Sequence, residues 1–163
     1  MEWLSRLKRW VFRYWVEGVD GSFLPLEWDK HFASLTPEKC RDFATDLCRK
    51  VVANVGVHED EVERAIAAVA HNRVTEDRLH SIQSLVECLE REYDSLLGDD
   101  ESKLSCIDPE IAAAYRRMAA AWALQCTLEG DLSGLAYYAW AVLDDLAEIR
   151  RLAGMPQATP ESA

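Results

Sequence analysis

Residues 109–152 read PEIAAAYRRMAAAWALQCTLEGDLSGLAYYAWAVLDDLAEIRRL, and this stretch decides the fold. Asp108-Pro109-Glu110 has the chemistry of a helix start. An acceptor side chain comes first, then a proline whose missing N–H is no loss in the first turn, then an acid at the positive end of the helix dipole. Ile111, Tyr115, Met118, Ala119, Trp122 and Cys126 follow at helical spacing. Glu129-Gly130-Asp131 interrupts the pattern, and one further helix is expected through Leu135, Tyr138, Ala139, Val142, Leu146 and Ile149 to about Leu152. Both helices carry Ala, Trp and Leu on more than one face, which marks elements enclosed by neighbours, so they are expected to form the central hairpin.

Upstream, the same period recurs. Thr36-Pro37-Glu38 opens a helix with Phe43, Ala44, Leu47, Val51 and Val52 on one side, and Gly56 closes it. His58 to Glu61 open the next, with Val62, Ala65, Ile66 and Val69 as its buried stripe. After the turn at Asn72-Arg73, Thr75 caps a long helix carrying Leu79, Ile82, Leu85, Val86, Leu89, Tyr93 and Leu96, stopped at Gly98. At the other end, residues 3–16 form an amphipathic pattern with a very aromatic side, and Asp20-Gly21 followed by Pro25 reads as a loop. Almost nothing alternates with period two. The expectation is an all-α, single-domain bundle of about six helices with short connections over 1–153, its Trp-rich first helix at 1–18, and a flexible tail at 154–163.

The chain has 163 residues and a formal net charge of −11, which disfavours direct binding to nucleic acid. The charge is lopsided. Residues 1–18 are net +2, while residues 87–149 are net −10 and contain no base between Met118 and Ile149. Glu87, Glu90, Glu92, Asp94, Asp99, Asp100, Glu101 and Asp108, with Asp131, Asp144, Asp145 and Glu148, are therefore the candidate surface for a basic partner. Solvated helix starts account for the same acids without any partner. Trp3, Trp10 and Trp15 interleaved with Arg6, Arg9 and Arg13 make a second candidate interface, for a membrane surface or a partner helix. The basic side of this segment could equally rest on the acidic half of its own chain.

Catalytic chemistry finds little purchase. The histidines (His31, His58, His71, His80) and cysteines (Cys40, Cys48, Cys88, Cys106, Cys126) form no Cys-x-x-Cys, His-x-x-x-His or Glu-x-x-His pair, so no metal site and no cofactor is expected. Asp77 and His80 share a helix face as an ordinary exposed pair. Glu87 and Glu90 have the Glu-x-x-Glu spacing of all-α magnesium-dependent nucleotide hydrolases, and Asp145 with Glu148 could complete such a site only if the two helices faced each other. With no phosphate loop, nucleophile elbow or Cys/His signature, the chain is read as not an enzyme. Scattered, odd-numbered cysteines and a first segment broken by Arg6, Lys8, Arg9 and Arg13 point to a cytoplasmic protein without a signal peptide.

Thr36-Pro-Glu-Lys-Cys-Arg-Asp-Phe-Ala, then Leu-Cys-Arg-Lys-Val-Val, Glu-Arg-Ala-Ile-Ala and Thr75-Glu-Asp-Arg-Leu79 resemble a group of all-helical bacterial proteins. These are the immunity proteins of polymorphic-toxin systems and related helical companion domains. The resemblance covers residues 36–90 and brings no defined functional residues with it. It implies a non-enzymatic binder: an immunity- or antitoxin-like module that neutralises a basic protein, such as an enzyme acting on nucleic acid.

Overall fold

A computed structural model describes residues 25–56, 60–97 and 109–156. These form an all-α bundle: α1 (Pro25–Ala33), α2 (Pro37–Val55), α3 (Asp60–Ala70), α4 (Glu76–Leu97), α5 (Pro109–Glu129), α6 (Leu132–Leu143) and α7 (Leu146–Ala153). The Trp-rich segment 1–18 lies outside the described residues. No helix among the described residues is long and apolar enough to cross a membrane.

The central hairpin is α5 and α6, as their composition demands. Every residue from Ala119 to Leu128 is buried, because α5 is packed against α2, α3, α4 and α6. Along α6, Ser133 to Ala139 are likewise all buried. Leu47 and Val51 of α2, Val62 of α3, Ile82 of α4 and Ile149 of α7 close over this hairpin with almost no exposure. Cys48 sits in the same core, its Sγ 2.9 Å from Thr127 Oγ1. Burial pushes its thiol up to about 12, so it stays protonated and inert. Cys40, Cys48, Cys88 and Cys126 are all free thiols.

Local chemistry sets the helix ends. Thr36 accepts from Lys39 N, and Thr75 from Arg78 N, at the starts of α2 and α4. Gly56 closes α2 with φ +70°, a conformation that only glycine adopts without steric cost.

Two features differ from the sequence expectation. First, Pro25 does not sit in a loop but opens α1, where its fixed φ suits the first turn. This nine-residue helix is held by tertiary contacts. Trp28 is fully buried, Phe32 packs on Phe43 at 4.9 Å between ring centroids, and Ser133 Oγ donates to Asp29. Arg150 donates through both terminal nitrogens to Glu27, at 2.8 and 3.1 Å, and through Nε to Pro156 O. Hydrogen bonding to Arg150 holds the Glu27 carboxyl below its usual range. His31 Nε2 donates to Ala153 O at 2.6 Å.

Second, the single last helix is two helices. Asp144 adopts φ 53°, its N–H bonding Trp140 O to end α6, and Asp145 caps α7 by accepting from Glu148 N. Adjacent aspartates suit this corner, since Asp tolerates the left-handed region and accepts at N-caps. Just beyond α7, Gly154 turns the chain with φ +70° and Met155 is buried, while residues 157–163 of the expected tail lie outside the described residues.

Candidate interaction surface

The acids spread along 87–149 are sorted in space by the direction of three helices. α4 and α5 run antiparallel, joined near the end of one and the start of the other by the Tyr93–Tyr115 ring contact (5.7 Å) and the Arg117–Glu92 ion pair. α6 returns alongside α5, so its last turn comes back to the first turns of α5. There Arg116 donates through Nη2 and Nε to Val142 O, at 2.8 and 3.2 Å. The end of α4, the start of α5 and the α6–α7 corner therefore share one end of the bundle. Glu92, Asp94, Glu110, Asp144 and Asp145 are all exposed there.

The other nominated acids divide. Glu87 is exposed and Glu90 half-buried, one to two turns back along α4. Asp99, Asp100, Glu101 and Asp108 lie outside the described residues, on the segment that leaves α4 and enters α5. Asp131 is at the opposite end, accepting from Gly134 N at 2.8 Å to cap α6. Glu129 is beside it, accepting from Gln125 Nε2. Glu148 of α7 accepts from Lys50 of α2 and from Arg151 of its own helix. Trp3, Trp10, Trp15, Arg6, Arg9 and Arg13 lie outside the described residues. No group of three or more His, Cys, Asp or Glu among the described residues is placed to hold a metal ion.

The sequence did not reveal the pocket at this acidic end. About 410 Å³ lies between the first turns of α5 and the last turns of α6, lined by Ala112, Tyr115, Arg116, Tyr137, Trp140, Ala141 and Asp144. Burial, with the neighbouring Tyr93 phenol adding to it, pushes Tyr115 up to about 12, so it is a neutral hydroxyl at physiological pH. The available signal was Trp140, an aromatic residue lying off the buried stripe of its helix.

The Glu148 cluster gives a pH prediction. Hydrogen bonds from Arg151, then from Lys50, hold this carboxyl at about 2, against an ordinary 4.5. A depressed folded value means the cluster contributes stability above pH 4.5 and loses it as pH falls through about 2. Carboxyl-detected NMR should place the Glu148 midpoint near 2, and Lys50→Ala should move it toward 4.5. An unshifted midpoint in the wild type would refute the bridge. No protein-family model matches the chain, and none of the curated proteins or solved structures compared with it is measurably similar.

Proposed function

We propose that this chain is a non-catalytic binding module that neutralises a basic protein, in the manner of an immunity or antitoxin protein. One observation supports the reading above others. Carboxylates distant in sequence are carried to one end of the bundle by the antiparallel course of α4, α5 and α6, beside a pocket walled by aromatic rings. A surface of one sign steers an oppositely charged protein and raises its association rate. Aromatic-lined pockets accept the buried anchors that dominate binding energy. The partner class follows from charge: a protein acting on nucleic acid must itself be positive, and covering its groove with carboxylates excludes its substrate.

The partner of such a neutraliser is expected to be encoded in the adjacent reading frame. Stopped-flow association with that product should slow by about tenfold at low salt when Asp94, Asp99 and Asp100 are replaced together by Lys, and the salt dependence should flatten. Equal on-rates in the variant would remove the proposal.

A further inference from the structure

Two helix faces enclose the 410 Å³ pocket. Ala112, Tyr115 and Arg116 recur at i, i+3 and i+4 on α5, and Tyr137, Trp140, Ala141 and Asp144 at i, i+3, i+4 and i+7 along the end of α6. The small side chains of Ala112 and Ala141 leave room among the rings. Each ring is held by contacts of its own, so the aromatic residues are fixed walls, and a ligand enters only the space that remains between them. That space is of the size small-molecule sites have.

Two opposite charges line it without pairing with each other. Arg116 commits Nε and Nη2 to Val142 O, at 3.2 and 2.8 Å, and its Nη1 makes no bond among the described residues. The Asp144 carboxylate is exposed and accepts no hydrogen bond among them either. Asp144 lies two residues beyond Val142, with its N–H tied to Trp140 O, so the corner that anchors the guanidinium also carries the carboxylate. Arg116 alone would select an acid, and Asp144 alone an amine. Both at one apolar space select a molecule that carries both charges close together on an apolar body. Tyr115, pushed up to about 12 by burial, stays neutral and does not repel an anion there.

We infer that the pocket takes a free α-amino acid with an aromatic side chain, its carboxylate on Arg116 Nη1, its ammonium on Asp144 and its ring between Tyr115 and Trp140. This binding needs no partner protein, so it stands or falls separately from the proposed function.

Titration of the full-length protein with L-phenylalanine, followed by amide NMR, tests it. Shifts are expected from Ala112 to Arg116 and from Tyr137 to Asp144, with a Kd of about 1 mM or lower. Phenethylamine lacks the carboxylate and 3-phenylpropionate lacks the ammonium, and each should bind about tenfold more weakly. Asp144→Asn keeps a residue type that tolerates the left-handed backbone at this corner. It should weaken L-phenylalanine about tenfold and leave 3-phenylpropionate unchanged. Four results would overturn the inference: equal affinity for the three compounds, shifts centred elsewhere, none at about 20 mM L-phenylalanine, or a folded Asp144→Asn protein that binds it as the wild type does. The three compounds are compared on the wild-type protein, so that comparison decides even if the variant does not fold.

Discussion

Trp28→Ala should destabilise the protein by about 3–5 kcal/mol, lowering Tm by about 10 °C or more, the largest loss expected from any single change in α1. The side chain is fully buried, packs on Phe32 (5.9 Å between centroids) and lies beneath the Arg150 guanidinium, 6.0 Å from the ring. Removing the indole leaves a cavity where α1 meets its neighbours, and takes the apolar support from the Glu27–Arg150 ion pair. That pair contributes little by itself once loosened, because Glu27 is 40% exposed and water competes for it. Urea unfolding followed by circular dichroism measures the effect. Leu26→Ala is the control, since Leu26 is 66% exposed and its removal should stay within about 0.5 kcal/mol. A Trp28→Ala loss below about 1 kcal/mol would mean that α1 is not an integral part of the core.

Gly134→Ala should cost about 2–4 kcal/mol, although helix propensity alone predicts a gain of about 1 kcal/mol for the same change. A Cβ at this position would lie 2.8 Å from both Cys126 Sγ and Asp131 Cγ, closer than side-chain carbons approach other atoms. Neither can move freely: Cys126 is buried in α5, and Asp131 is held by its hydrogen bond to Gly134 N. The added methyl therefore overpacks the hairpin corner and breaks the α6 cap together. Asp131→Ala removes the cap alone and should cost about 1 kcal/mol, so the difference between the two variants isolates the packing contribution. A stabilised Gly134→Ala protein would show that α5 and α6 do not approach closely at this corner.

The elements legible in the sequence were those whose ends carry their own chemistry. Thr36 with Pro37, Gly56 and Thr75 mark the limits of α2 and the start of α4 through bonds made within three or four residues. The apolar composition of α5 and α6 likewise announced their central position. α1 was not legible because nine residues are too few for a period to emerge, and because it is held by residues over 100 positions away, Arg150 and Ser133. The α6–α7 corner was missed for a different reason. Asp144 and Asp145 look like surface charge in a list of acids, whereas one supplies a left-handed turn and the other a cap.

The same distinction governs the candidate surface. Which acids are numerous was readable, but which are neighbours depends on helix direction. Asp94 and Asp144 share an end of the bundle although 50 residues separate them, while Asp131, nearer in sequence to Asp144, caps the far end. Glu148 is spoken for by Lys50, 98 residues away, a pairing with no local signature.

Hydrogen exchange on the complex with the basic product of the adjacent reading frame tests the binding claim most directly. Slowed exchange is expected in the last turns of α4, the first turns of α5 and from Trp140 through Asp145, with α3 and the Asn72 turn unchanged. Protection confined to α2 or α3, or none anywhere at saturating partner, would contradict an acidic docking end.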